Sequence, residues 1–215
     1  MFQKSIDFLA IGDIATDAFI RLKEASVHCE VNTQRCEICM SFGDKVPFEF
    51  VKVIKAVGNS ANASVTASRL GLHTAFATNL GNDQNGDDCL NNLRKERIDL
   101  RYIHKHRGKA TNYHFVLWYE AERTILVNHI EYEYQFPRIR SAPNWIYLSS
   151  LASNSGEYHV ELTKYLKDNP KVNLAFQPGT FQMKLGIKNL KDIYMRTEVF
   201  ICNVEEAQKI LATES

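Results

Sequence analysis

Short apolar runs recur along the chain and alternate with segments of helical character. Five such runs predict buried strands: residues 6–11, 72–80, 145–148, 172–176 and 199–202. Three intervening segments predict helices: residues 87–97, 157–166 and 205–211. In the first of these helices Leu90 and Leu93 lie on one apolar face and the outer face is polar. Buried strands that alternate with helices indicate an α/β fold with a parallel sheet.

Two β-rich stretches interrupt this alternation, at about residues 17–55 and 108–131. The second stretch contains two predicted strands, residues 112–117 and 123–128, around a turn at residues 119–122. The pattern therefore predicts paired strands in addition to those of the parallel sheet.

Residues 57–71 are the most informative part of the chain, because small residues and two amides stand where a loop becomes a helix. Such a turn lets backbone N–H groups approach a polar ligand closely. Ala63, Ala67 and Leu70 follow at helical spacing. Two interpretations remain open on this spacing alone: a ligand loop, or a small-residue helix packed close to a sheet.

The composition is that of an ordinary globular domain with a substantial core: 215 residues, 45% hydrophobic and 24% charged. The formal net charge is +1, with 26 basic and 25 acidic residues. Since no strongly basic stripe is apparent, we expect no nucleic-acid partner. The first apolar run is too short for a signal peptide or a membrane span. We therefore expect a cytoplasmic protein with no membrane partner.

Five cysteines are scattered along the chain: Cys29, Cys36, Cys39, Cys89 and Cys202. An odd number without a secretory signal argues against a disulfide framework. Cys36 and Cys39 form a CxxC pair, with His28 and Cys29 just upstream. These residues predict either a zinc knuckle or reduced cysteines in a β-rich surface segment.

Four segments, in their order and spacing, resemble the PfkB, or ribokinase-like, family of carbohydrate kinases: residues 7–17, 57–71, 74–86 and 201–207. The resemblance implies a three-layer α/β/α fold with a mostly parallel sheet, in one domain spanning residues 1–215. It implies that the β-rich stretches form a small β-sheet lid over a sugar site, although a sheet used only for dimer contacts is the alternative. It also implies that the C-terminal part of the family fold is absent.

The resemblance implies a substrate site around Asp13 and Asp17, which follow the first strand, where doubly wound folds bind ligands. Asp17 has an alternative as a hinge or capping residue.

Gly58, Asn59 and Asn62 match the GGxxxN substrate loop of the family, and the sequence departs from it at Val57. A valine there narrows the loop and disfavours a positive φ. The departure leaves open a substrate different from the usual sugars, or impaired binding.

Other matched residues have both a functional and a structural interpretation. Asn203 and Glu206 match the N-x-x-E motif that orders magnesium and phosphate, and their oxygens suit Mg²⁺. The same pair at a helix start is typical of a capping box. Arg123 matches a lid arginine near substrate or phosphates, or is a solvated turn charge. Asp83 and Gly86 match a G-D-x-x-G turn that places the next helix.

The function that the resemblance implies is an ATP-dependent sugar or nucleoside kinase, a phosphotransferase with an alcohol acceptor. ATP and Mg²⁺ are the implied cofactors, a small sugar or nucleoside the partner, and a homodimer through the lid the assembly. The family's glycine-rich segment with its general-base aspartate has no counterpart in residues 180–215. We therefore assign no catalytic residue, expect the base beyond Ser215, and expect this chain alone to be inactive. The alternative is a non-catalytic ligand-binding or dimerising module derived from the same family.

Overall fold

Strands and helices alternate along most of the chain in a computed structural model, which describes residues 5–30 and 36–213. In chain order the elements are β1 (Phe8–Ile11), β2 (Ala15–Leu22), β3 (Ser26–Cys29), β4 (Cys36–Cys39), β5 (Phe48–Val57), α1 (Asn59–Arg69), β6 (Thr74–Gly81), α2 (Gln84–Lys95), β7 (Ile103–His106), β8 (Tyr113–Tyr119), β9 (Glu122–Leu126), β10 (Trp145–Leu148), α3 (Gly156–Asp168), β11 (Asn173–Phe176), α4 (Thr180–Asn189), α5 (Lys191–Arg196), β12 (Thr197–Phe200) and α6 (Val204–Leu211).

Six parallel strands form the central sheet in the order β12-β11-β10-β1-β6-β7. Side chains of β1 alternate between two apolar clusters on opposite faces of this sheet. Leu9 packs in the cluster that contains Leu162 of α3, whereas Ala10 packs in the cluster that contains Ala61 of α1 and Leu93 of α2. Helices thus cover both faces of the sheet, and the predicted three-layer α/β/α fold is confirmed.

The five apolar runs all form strands of the central sheet, but three elements were not predicted. These are β7, α4 and α5. β7 has the sequence Ile-His-Lys-His, which lacks the apolar character of an interior strand because it lies at the sheet edge. Inside α4, Gly186 has a φ of 79° and interrupts the helix, so the apolar residues on either side share no single helical spacing.

Helix α1 forms where it was predicted, but its buried face differs from the expected one. Leu70 ends the helix and is 78% exposed. The face against the sheet is made of small residues: Ser60, Ala61, Ser64 and Ala67. The buried Ser60 hydroxyl has a partner, because it donates a hydrogen bond of 2.7 Å to the Ile11 carbonyl at the end of β1. Small side chains let α1 approach the sheet closely, and a bulky residue at position 70 adds nothing to that contact.

The β-rich stretches build a second, four-stranded sheet in the order β5-β2-β8-β9, which we call the small sheet. β2 is antiparallel to β5 and parallel to β8. Only residues 12–14 separate β1 from β2, so the small sheet is anchored directly beside the carboxyl end of β1.

A separate hairpin of β3 and β4 carries the cysteines that suggested a zinc site. Cys29 and Cys36 face each other across the hairpin and form a disulfide. The expectation of reduced cysteines is therefore wrong for these two, although the β-rich surface position is as expected. Within residues 5–30 and 36–213, no group of three or more His, Cys, Asp or Glu side chains could hold a metal ion. Nothing in the described hairpin supports the zinc knuckle.

The helices are short, and the longest in the described part of the chain are α3 with 13 residues and α2 with 12. A membrane-spanning helix needs about 20 apolar residues. Over the described ranges, none of the helices has the length and apolar composition of such a span.

A buried polar network connects α3 to α4 through His159 and Gln182. Gln182 is fully buried, and its amide donates to the Ser149 carbonyl at 2.9 Å. The same amide nitrogen lies 3.0 Å from Nε2 of His159, whose Nδ1 lies 2.7 Å from the Ser155 carbonyl. These partners suit a neutral ring with its proton on Nδ1. Burial lowers the pKa of His159 accordingly.

We expect this histidine to make stability depend on pH. The unfolded chain protonates it below about pH 6.5, whereas the folded chain resists protonation. Its contribution is therefore present above that pH and is lost as the pH falls. In wild type, the free energy of unfolding measured in urea should fall between pH 7 and pH 5. In His159→Gln this fall should be less steep than in wild type, by up to about 1.4 kcal/mol per pH unit. His28→Gln, at an exposed position on β3, should keep the wild-type slope. Equal slopes in all three proteins would contradict the expectation.

Candidate functional site

Several of the predicted site residues meet at the carboxyl end of β1. Asp13 follows β1, Asp17 lies on β2, and Gly58 precedes α1. A Cβ on Gly58 would lie 2.9 Å from the Asp13 carbonyl oxygen, so the two backbones are in close contact. The Asp13 N–H donates a 2.7 Å hydrogen bond to Ser150, just beyond β10. The three residues thus lie at the carboxyl-terminal end of the strands, where ligands bind in open parallel α/β folds.

The Asp13 carboxylate is bound by two side chains that sequence reasoning missed. Nε2 of His129 lies 2.7 Å from Oδ2, and the Tyr134 hydroxyl donates to Oδ1 and Oδ2 at 2.8 and 2.9 Å. Both partners come from residues 127–144, which run without helix or strand from β9 to β10. Burial, together with the nearby Asp13 charge, raises the pKa of Tyr134 far above its ordinary value, so the phenol stays a donor. The Asp13 side chain is only 4% exposed.

The Asp17 carboxylate has a different environment. Asp17 and His114 are directly opposite each other on β2 and β8. Oδ1 of Asp17 lies 3.2 Å from Nδ1 of His114, a contact that carries an ionic attraction only when the ring is protonated. Oδ1 of Asp17 and Nε2 of His114 are both buried, and neither has a hydrogen-bond partner among the described residues. Buried polar atoms without partners are uncommon in folded proteins and cost about 1–3 kcal/mol each.

The two histidine–aspartate pairs lie side by side. The rings of His114 and His129 are stacked, with centroids 6.3 Å apart. We call these four residues, Asp13, Asp17, His114 and His129, the histidine–aspartate cluster. It offers carboxylate acceptors and imidazole nitrogens within one small region, a combination that suits hydroxyl groups, which both donate and accept.

The predicted substrate loop borders this cluster. Gly58 has a φ of 118°, and Ala56 has a φ of 58°. Between them Val57 is the last residue of β5 and lies outside the left-handed region. The departure from the expected glycine is thus accommodated, because the flanking residues carry the positive φ angles. Asn59 and Asn62, in the first turn of α1, are exposed.

The G-D-x-x-G turn has the structural role expected of it. Asp83 caps α2 by accepting the Gly86 N–H at 2.8 Å. It also accepts the N–H and the hydroxyl of Thr111, at 2.9 and 2.6 Å. Burial opposes ionisation here, but the hydrogen bonds from Thr111 and Gly86 outweigh it and hold the pKa of Asp83 below its ordinary value.

The N-x-x-E pair forms the capping box that was the alternative to a metal role. The Asn203 side chain accepts the Glu206 N–H at 2.7 Å, and the Glu206 carboxylate accepts the Asn203 N–H at 3.0 Å. The pair follows β12 and so lies, like Asp13, beyond the carboxyl-terminal ends of the parallel strands. β12 is three strand spacings away from β1, a distance of about 14 Å. The pair therefore lies apart from the histidine–aspartate cluster.

Arg123 also lies apart from the cluster. It is exposed on the edge strand β9, opposite Trp118. Trp118 is four residues along β8 from His114, a separation of about 13 Å.

Comparison with known proteins agrees with this architecture. Residues 51–215 match the family described as pfkB family carbohydrate kinase. The chain belongs to this family. None of the curated protein sequences matches it.

Solved structures of pfkB-like kinases share the fold. A ribokinase from Arabidopsis thaliana, complexed with ribose and ATP, has a TM-score of 0.73 and 16% identity, over 99% of this chain and 65% of its own. A nucleoside kinase from Methanocaldococcus jannaschii has a TM-score of 0.70 and 13% identity, over 98% and 65%. A fructokinase from Halothermothrix orenii has a TM-score of 0.69 and 18% identity, over 98% and 72%. This pfkB family chain thus spans about two thirds of their length.

Sequence reasoning placed Asp13, Asp17 and Gly58 in one region of this pfkB family chain but missed three polar partners. His129 and Tyr134 follow the small sheet in a segment without periodicity. A signal for His114 was present, because it is two residues from the buried Val116 and therefore lies on the same face of β8.

Proposed function

We propose that this protein transfers a phosphoryl group from ATP to an alcohol of a sugar or nucleoside. The observation that carries the proposal is the histidine–aspartate cluster beside Gly58, at the carboxyl end of β1 in a pfkB family fold. Hydroxyl-rich substrates are held by side chains that accept and donate hydrogen bonds in pairs, and the cluster supplies both kinds.

In this proposal the small sheet acts as a lid. β2 continues from β1 after three residues and carries Asp17 into the site, so the sheet that covers the acceptor also contacts it. Excluding water from the acceptor would favour transfer to the alcohol over hydrolysis.

ATP and Mg²⁺ are the cofactors that we propose. Asn203 and Glu206 would hold the metal and phosphates. Their oxygens suit magnesium, which takes oxygen ligands and keeps several waters, so few protein ligands are needed. The capping hydrogen bonds are compatible with this role, because they involve one oxygen on each side chain and an oxygen has two lone pairs. When bound, magnesium neutralises charge on the transferring phosphoryl group. No described residue is assigned as the general base.

A homodimer through the small sheet, in the cytoplasm, completes the proposal. Strands β5 and β9 expose large apolar side chains: Phe48, Phe50, Val51, Val53, Ile125 and Leu126. Exposed apolar surface favours association. Sedimentation equilibrium tests this point, and a monomer at every concentration would contradict it.

Calorimetric titration with D-ribose, D-fructose and adenosine tests the substrate class. We expect saturable binding of at least one of them, because the cluster provides acceptors for their hydroxyls. The same mixtures with MgATP are then analysed for phosphorylated acceptor by mass spectrometry, with MgATP alone as the control for hydrolysis. Absence of binding to all three would overturn the proposed substrate class. Transfer would exclude the non-catalytic binding module, whereas binding without transfer agrees with both functions, because no described residue is assigned as the general base.

A further inference from the structure

Two side chains of the chain itself, His129 and Tyr134, already bind the Asp13 carboxylate, which is only 4% exposed. Oδ1 accepts from Tyr134, and Oδ2 accepts from Tyr134 and pairs with His129. Because the Asp13 side chain is almost fully buried, a substrate hydroxyl reaches this carboxylate only if one of these partners moves. Asp13 is therefore suited to hold residues 127–144 against the end of β1, and less suited to contact a ligand.

Asp17 and His114 show the opposite behaviour. Oδ1 of Asp17 and Nε2 of His114 are shielded from water and have no hydrogen-bond partner among the described residues. Oδ1 is left with its 3.2 Å contact to Nδ1 of His114, which is not a hydrogen bond. Leaving a carboxylate oxygen and a ring nitrogen in this condition costs free energy, which a ligand can recover by supplying the missing partners. A carboxylate only accepts, whereas an imidazole nitrogen donates or accepts according to its tautomer. Hydroxyl groups match both.

The surroundings of the pair extend this argument to the shape of the ligand. Phe19 and Val116 lie opposite each other, two residues further along β2 and β8. Because side chains alternate between the faces of a sheet, they share a face with Asp17 and His114. Val116 is buried and Phe19 half-buried. One face of the small sheet thus offers two polar atoms next to an apolar surface, which suits a sugar ring with hydroxyls on one edge and C–H groups on its face.

We propose that His114 is a specificity-determining residue that binds a substrate hydroxyl through Nε2, next to a hydroxyl bound by Oδ1 of Asp17, while Asp13 is a positioning residue. This inference rests on the proposed function and names the part of its site that selects the acceptor. Because the two atoms are shielded in this structure, the small sheet must move away from residues 127–144 for the sugar to enter.

Titration of the whole chain with D-ribose, D-fructose and adenosine in parallel tests the inference. His114→Phe keeps a ring of similar size and removes both nitrogens. We expect it to raise the dissociation constant of the bound probe about tenfold or more. His28→Phe is the matched control, at an exposed position of the β3–β4 hairpin, and should bind like wild type.

A second measurement does not depend on the variant. In wild type with ¹⁵N-labelled histidine, the Nε2 resonance of His114 should shift on addition of the bound probe and saturate at its dissociation constant. A constant resonance and unchanged binding by His114→Phe would overturn the inference while the proposed function stands. If His114→Phe does not fold, the wild-type resonance decides by itself. Absence of binding to every probe would overturn both proposals.

Discussion

Gly81→Ala should destabilise the protein by about 3 kcal/mol, near the upper end of the cost of overpacking. Gly81 is the last residue of the buried strand β6. A Cβ there would lie 2.3 Å from the Ala110 carbonyl carbon and 2.5 Å from the Thr111 nitrogen. Both are backbone atoms, which cannot rotate away as a side chain can. Urea unfolding followed by circular dichroism measures the change.

Gly156→Ala is the matched control. Gly156 begins α3, and no atom lies within 4 Å of the position that its Cβ would take. We expect this variant to be as stable as wild type, or more stable by up to about 1 kcal/mol, because alanine loses less conformational freedom on folding. Equal stabilities of the two variants would show that residues 109–111 do not pack against the end of β6 as described.

Asp13→Ala should destabilise the protein, whereas Asp17→Ala should change its stability little. Removing the Asp13 carboxylate leaves His129 and the Tyr134 hydroxyl without their acceptor in a buried region. Hydrogen bonds to charged groups contribute about 1.5–3 kcal/mol each. The loss should therefore be about 3 kcal/mol or more in the free energy of unfolding. Sugar or nucleoside binding should weaken as well, because residues 127–144 lose their contact with the site.

Asp17→Ala should leave the free energy of unfolding within about 1 kcal/mol of wild type. Oδ1 accepts no hydrogen bond from the described residues, and its 3.2 Å contact with Nδ1 of His114 carries an ionic attraction only when the ring is protonated. It should nevertheless weaken acceptor binding at least tenfold. Urea unfolding and calorimetric titration of both variants measure the two effects. Each variant is the control for the other, since both remove a carboxylate near the end of β1. A destabilised Asp17→Ala together with a stable Asp13→Ala would reverse the two assignments.

The pattern of residues along the chain was enough to predict five of the six strands of the parallel sheet and the helices α1, α2, α3 and α6. A strand covered on both faces is apolar along most of its length, as β1 is with the sequence Phe-Leu-Ala-Ile. Helix caps were also readable, because Asp83 with Gly86 and Asn203 with Glu206 are only three residues apart. Such signals are local, and they survive in the sequence whatever the rest of the fold does.

The composition of the candidate site was decided by the tertiary structure. Asp13 meets His129 and Tyr134 across 116 and 121 residues. Asp17 faces His114 because β2 pairs with β8. The disulfide of Cys29 and Cys36 likewise follows from the pairing of two strands. Neither periodicity nor spacing encodes which distant side chains meet. The sequence by itself therefore determined the family, the layers and the place of the candidate site at the end of β1. Only the packing of the small sheet and residues 127–144 decided which carboxylate is held by the chain and which has an oxygen without a hydrogen bond.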